Sequence, residues 1–260
     1  MKKLLKSGCL AVCSTLLLTC ANFAAAAEVN VAATAGFASA YKVLGPEFEK
    51  STGNTLNTVW GPSMGDTPNT IPHRLERGEN IDIVIMVGKS LDKLVAEGKI
   101  EPDSTMVLAR SRVALAVRAG APVPDISTVE ALKQALLNAK SIAYSDSASG
   151  TYVSKVMIPK LGLADALKDK IHMVPAEPVG NVVARGEAEM GFQQLSELKP
   201  IQGIQLVGLI PDDVQVVTLF SAGIVKGAKN REGAQALLQF LSSPQHAATI
   251  DATGLEAANR

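Results

Sequence analysis

Three segments of this chain place small hydroxyl residues and glycine between an apolar run and a helical pattern. They are Thr34-Ala35-Gly36-Phe37, Pro62-Ser63-Met64-Gly65-Asp66-Thr67 and Ser145-Asp146-Ser147-Ala148-Ser149-Gly150-Thr151-Tyr152. A strand that ends in such a loop and opens a helix leaves free N–H groups and a partial positive charge at the helix start. Glycine lets an anion approach that backbone, and Ser or Thr adds a hydroxyl donor. Ordinary N-capping selects the same residues, so one loop alone decides nothing. Three in one chain point to a shared anion site, with Thr34, Ser63, Met64, Gly65, Thr67, Ser147, Ser149 and Gly150 as its contacts. The phosphate-cradling patterns GxxxxGK[ST] and GxGxxG do not occur.

Beside the second loop stand His73 and Arg74. A fixed cation and a titratable ring next to an anion loop could clamp a carboxylate and move a proton; a solvated helix face is the plainer alternative. His172 and His246 read as surface or packed residues. The three histidines have no metal-ligand spacing and HExxH is missing, so no metal site is expected. Glu177 in AEPVG is a further carboxylate near the candidate loops. Gln193 and Gln194 close the apolar run MGFQQ. Buried amides need partners, and a ligand would supply them.

These loops need elements to hold them. VNVAAT after Glu28, Leu56–Trp60 and the almost wholly apolar DIVIMV (82–87) read as strands. Helical patterns lie between and after them, over Phe37–Lys50, His73–Arg77 and Leu91–Glu97. The run DIVIMV fits a parallel strand buried on both faces. A second series follows: strand Arg112–Val117, helix Val129–Asn138, strand Ser141–Ser145, helix Ser149–Leu161, strand Ile171–Val174, helix Asn181–Arg185, strand Met190–Gln193. Val216–Val225 reads as a strand and Asn230–Leu241 as an amphipathic helix. Short alternation of strand and helix predicts an α/β fold with mostly parallel sheets flanked by helices. With no low-complexity linker, the two series are expected as two lobes joined by strand-like crossings. Lobe one takes 28–110 and 220–260, lobe two 111–219, and the ligand cleft lies between them.

The ends and the composition set the compartment. Lys2, Lys3 and Lys6, the apolar run Leu10–Leu18 and Ala24–Ala27 have the form of a secretory signal over 1–27, cleaved after Ala27, which directs the protein to the periplasm. Lipidation at Cys20 is disfavoured because Thr19 precedes it. Cys9, Cys13 and Cys20 all fall in this leader, so the processed chain has no thiol and no disulfide. The chain has 25 basic and 25 acidic residues; removing the three leader lysines leaves 22 basic against 25 acidic. A slightly acidic protein is a poor partner for nucleic acid, and no membrane insertion is expected after processing. The expected partner is a small anion, held by a local site.

FEKSTG, GPSMGDTP and RLERGENIDIVIMV, with IAYSDSASGTYVSK, PAEPVGNVVARGEAEMGFQQLSEL and FSAGIVKGAKN, resemble the periplasmic molybdate-binding-protein family of type II solute-binding proteins. The resemblance runs over essentially the whole processed chain and implies a two-lobed hinged fold. The sequence departs from the molybdate pattern at three places. Thr34-Ala35 stands where that family usually has a serine pair. Gln193 and Gln194 follow MGF, where the family usually has a tyrosine that reaches the oxyanion. DTPNTIP is an extra segment. GPSMG and SDSASG are similar to features of the aconitate isomerases, exported enzymes on the same scaffold. That resemblance implies a shift of a C=C bond in a tricarboxylate: a base removes a proton beside a carboxylate, an allylic carbanion is stabilised, and a proton returns at another carbon, with no cofactor. His73 or Glu177 would be the base and Tyr152 a proton donor, with Arg74, Gln193, Gln194 and the three loops binding substrate. The alternative is a non-catalytic receptor that passes molybdate or a small organic anion to an ABC permease.

Overall fold

The computed structural model describes residues 27–260; the leader reading for 1–26 lies outside them. Ten strands form one continuous sheet system: β1 (Glu28–Ala33), β2 (Thr55–Trp60), β3 (Ile83–Val87), β4 (Met106–Arg118), β5 (Ile142–Ser145), β6 (Ile171–Val174), β7 (Met190–Gln194), β8 (Ile204–Leu209), β9 (Val217–Ile224) and β10 (Glu256–Ala257). The order is β2-β1-β3-β9-β4-β7-β5-β6, with β8 and β10 also on β4. Pairing is parallel at both ends, β1 with β2 and β3, and β5 with β6 and β7.

The strands between are antiparallel because the chain crosses and returns. β4 is longer than the sequence reading of it. Its first half, Met106–Arg112, pairs β9, and its second half, Val113–Arg118, pairs β7 and β8. β9 also pairs β3 antiparallel, so DIVIMV is buried as expected but parallel to a neighbour on one side only. β8 and the helix Ala247–Ala252 gave no clear period in sequence and appear only in the structure.

The two ends have separate cores. One packs Val31, Phe37, Leu44, Phe48, Ile85, Phe220, Leu237 and Leu238; the other packs Val113, Leu115, Leu132, Leu136, Val153, Met157 and Phe192. The helices that supply them follow the expected apolar spacing: Ala38–Thr52, Val129–Asn138 and Arg231–Ser242. Gly53 ends the first with φ 76°, a conformation that costs a residue with a Cβ about 1–2 kcal/mol. The helix read over Ser149–Leu161 runs Ala148–Lys160 with a wide turn at Val153–Met157. Asp82, fully buried, ties the first end together: its carboxylate accepts from the Asn30 N–H (2.8 Å), Asn30 Nδ2 (3.3 Å) and the Asn230 N–H (2.9 Å).

Among the described residues no helix is long and apolar enough to cross a membrane.

Candidate functional site

A cavity of about 350 Å³ opens where the two ends of the sheet system face each other. Its walls come from the loops after β1, β2, β5 and β6 and from the end of β7, the carboxyl ends of parallel strands where α/β folds place ligands. Thr34, Ser63, Met64, Thr67, Ser147, Gln193, Gln194 and Glu177 line it, together with Trp60, Asn69, Asp146, Glu197 and Phe220. All three loops singled out from sequence meet here.

Each loop is set by local bonds. Thr34 caps nothing with its side chain, so its hydroxyl, in the cavity wall, is free for a ligand. Gly36 lies flat on the Phe220 ring, where an added Cβ would overlap ring carbons. Ser63 Oγ accepts the Val87 N–H at 3.0 Å and keeps its own proton to donate. Gly61-Pro62-Ser63-Met64-Gly65 also has the spacing of a nucleophile elbow. No histidine is bonded to Ser63, so acyl transfer has no base there. In the third loop the hydroxyls of Ser145, Ser147 and Ser149 form a triangle with edges of 2.7, 3.3 and 3.3 Å. Ser145 and Ser147 are the corners that line the cavity; Ser149 and Gly150 stand behind them, buried.

His73 and Arg74 serve a different purpose from the clamp expected of them. Neither lines the cavity. His73 Nδ1 pairs with the Thr67 carbonyl at 3.0 Å, and Arg74 Nε donates to the Asn69 carbonyl at 3.1 Å. Arg74 Nη1 donates to Glu79 at 2.7 Å, and Arg77 reaches the Pro68 carbonyl and Glu79. These side chains satisfy the carbonyls of the loop 67–69 and brace it from outside. Gly65, with φ 110°, makes the bend that lets the loop return and is not in the wall. Tyr152 is likewise committed, donating to the Val214 carbonyl at 2.7 Å away from the cavity; burial pushes its phenol up. His172 is exposed on β6, and His246 is buried against Phe240.

Glu177 does line the cavity, but Arg185 grips both of its oxygens at 3.0 and 3.1 Å, and that hydrogen bonding holds its carboxyl below the usual range. A carboxylate so held is a weaker base. Gln193 needs no ligand: its Oε1 accepts the Val179 N–H (2.9 Å) and its Nε2 donates to Glu197 (3.0 Å). Gln194 is different. Its Nε2 donates to Thr218 (3.0 Å) while its buried Oε1 has no partner. Turning the amide over keeps a bond to the Thr218 hydroxyl and offers Nε2 as a free donor.

Sequence reading passed over Glu197, Asp146, Asn69 and Trp60. Glu197 sits in LSEL, directly after MGFQQ, and an acid in so apolar a run was the available signal. Desolvation pushes it up to about 7, against the smaller lowering effect of its bonds to Gln193 and the Gln194 backbone. Asp146 accepts the Ala176 N–H at 3.3 Å and so joins two cavity loops. Ala176 holds a left-handed φ of 59°, a local strain that this bond helps to fix. Two further bonds bridge the ends of the molecule behind the cavity: Ser196 Oγ to the Gly36 carbonyl (2.9 Å) and Ser39 Oγ to the Ser196 carbonyl (2.7 Å).

No Lys or Arg is among the lining residues, so a bound anion is met by hydroxyls, amides and backbone N–H groups. Two α/β ends around such a cleft define a capture protein for small polar ligands. The chain belongs to the bacterial extracellular solute-binding protein family, whose model matches residues 29–256. A relative from Pseudomonas sp, described as aconitate isomerase, is 50% identical over 228 residues, 88% of this chain and 87% of its own length. The molybdate-binding protein ModA of Azotobacter vinelandii is 30% identical over 244 residues, 92% of each chain. Among solved structures, the A. vinelandii periplasmic molybdate-binding protein superposes with a TM-score of 0.71 at 21% identity, covering 87% of this chain and 98% of its own. A substrate-binding domain of a putative molybdenum ABC transporter from Clostridium difficile gives 0.69 at 23%, covering 90% and 100%. Those two likenesses concern the fold.

Proposed function

We propose that this protein is a periplasmic aconitate isomerase that interconverts trans- and cis-aconitate by an allylic proton shift. The observation that carries the reading is the 50% identity to the aconitate isomerase relative across 88% of the chain. The cavity supports it. At about 350 Å³ it has room for a small tricarboxylate, more than a tetrahedral oxyanion fills. Carboxylates of the ligand are held by the Thr34, Ser63 and Ser147 hydroxyls and by Gln194, while Thr67 donates its hydroxyl to Asn69 Oδ1 (2.7 Å) and shapes the wall. Charge that develops on them during proton removal is stabilised by these preset donors. The proton shift leaves the ligand's composition and oxidation level unchanged, so no redox partner enters the balance.

The leader 1–27 is removed on export, and the lobes are 28–110 with 220–260, and 111–219, hinged on β4 and β9. Lobe closure sheds water from the cleft before reaction. His73 and Tyr152 support the loops that carry Thr67 and Val214 and take no part in the proton shift.

A receptor that hands molybdate or an organic anion to an ABC importer is the second reading, favoured by the 30% identity to ModA. Ala35, Gln193 and Gln194 alter the oxyanion contacts expected of that family and weigh against it. The test is residues 28–260 incubated with trans-aconitate and followed by chromatography, with molybdate titrated in parallel by thermal shift. Turnover to the cis isomer is expected. Absence of conversion, with clear stabilisation by molybdate, would make this a transport receptor.

A further inference from the structure

We infer that Glu197 is the acid–base group of this cavity: it takes the methylene proton of the bound tricarboxylate and returns it to the far allylic carbon. The inference rests on the aconitate reading above.

Three carboxylates line the cavity, Asp146, Glu177 and Glu197. Arg185 neutralises Glu177 from outside, and Asp146 is spent in part on the Ala176 N–H. Glu197 alone of the three pairs with no cation and no neighbouring loop. Its Oε1 accepts from Gln193, whose amide is locked in turn by the Val179 N–H, so the carboxylate is held in one orientation. The helix Leu195–Leu198 starts where β7 ends, which puts Glu197 at the floor of the cleft.

Glu197 also forms part of a second groove, lined by Ser39, Lys42, Pro178, Lys199 and Ala252. The charged groups around it are Asp146 and Glu177 on the cavity side, and Lys42 and Lys199 on the groove side; Lys199 donates to the Ala252 carbonyl at 2.7 Å. Burial dominates and pushes the carboxyl up to about 7. It is therefore a stronger base than an ordinary carboxylate and is still ionised in part near neutral pH.

The step balances within the substrate and one side chain. The methylene C–H bond breaks and its proton bonds to a Glu197 oxygen. The electron pair spreads over the allylic carbons and their carboxylates. The O–H bond then breaks, the proton bonds to the former vinylic carbon, and the double bond lies between the central carbon and the former methylene carbon. Glu197 ends as it began.

The experiment compares wild type with Glu197→Gln, which keeps the shape and an oxygen for Gln193. We expect kcat to fall by about 100-fold or more, with trans-aconitate binding by calorimetry changed by less than about threefold. In wild type, kcat/KM should rise with pH through a limb near 7. Glu197→Asp should keep part of the activity and displace that limb. A Glu197→Gln enzyme within about threefold of wild-type kcat, or a wild-type profile with no limb in that range, overturns the assignment while leaving the aconitate reading intact. A wild type that converts no aconitate removes both.

Discussion

Gly150 lies in the first helical turn after β5, and its φ is outside the left-handed region. Backbone preference alone would favour alanine there, by roughly 1 kcal/mol. The packing opposes this. A Cβ on Gly150 would stand 1.6 Å from the Ser145 carbonyl oxygen, 2.6 Å from its carbon and 2.8 Å from its nitrogen. Ordinary contact at ~3.5 Å would need a separation of roughly 2 Å more. The obstructing atoms are backbone at the end of a buried strand, so no side chain can rotate away. Overpacking of this kind costs ~1–3 kcal/mol or more, which exceeds the propensity gain. The shift would also carry Ser147 off the Ser145–Ser149 triangle, and a displacement near 1 Å at a reacting site can cost ~100-fold in rate.

We therefore expect Gly150→Ala to lower the urea midpoint by the equivalent of ~1–2 kcal/mol and kcat/KM for trans-aconitate by about 100-fold. Gly45→Ala is the control. Its Cβ would meet the flexible end of Leu56 at 3.3 Å and the Tyr41 ring at an ordinary 3.7 Å, and both quantities should stay near wild type. A Gly150→Ala protein that is as stable and as active as wild type would falsify the claim that this close approach shapes the site.

Two other outcomes follow from groups already described. Asp82→Ala strips the acceptor from two backbone N–H groups and from Asn30 Nδ2; urea unfolding should show a loss of ~3–5 kcal/mol, and a loss under ~1 kcal/mol would mean water replaces the carboxylate. Because the folded pKa of Glu197 is raised to about 7, the native state binds its proton more tightly than the unfolded chain does. Its contribution is thus complete below the ordinary glutamate range and is lost as pH rises through 7, on the order of 3 kcal/mol. Unfolding at pH 5 and pH 8 should show this difference in wild type and a smaller one in Glu197→Gln.

Much of the frame was legible because local patterning and packing agree. Val129–Asn138 has its apolar residues on one helical face, Thr128 at its N-cap and no competing signal, and it forms as read. IVIMV is apolar at every position and is buried at every position. The three hydroxyl loops were also legible, since a strand end, a glycine and a helix start are written in consecutive residues. β8 was not: IQLVGL alternates poorly and is only partly buried, so its strand form depends on pairing with β4.

The roles of charged groups were decided by the fold. His73, Arg74 and Glu177 have chemistry that suits an active site, and the first two stand next to a cavity loop in sequence. What each does depends on a partner nearby in sequence that only the folded backbone brings within bonding distance: the Thr67 and Asn69 carbonyls of the turned-back loop for His73 and Arg74, and Arg185 across a short helix for Glu177. Glu197 shows the converse. Its sequence context is a short apolar run, and only the meeting of β7, the loop after β5 and the turn after β1 removes water from its carboxylate. Residue order along this chain determined the strands, helices and hydroxyl loops, because those depend on neighbours within a few positions. The burial of Glu197 depends on the distance between segments far apart in the chain, and tertiary structure alone sets that distance.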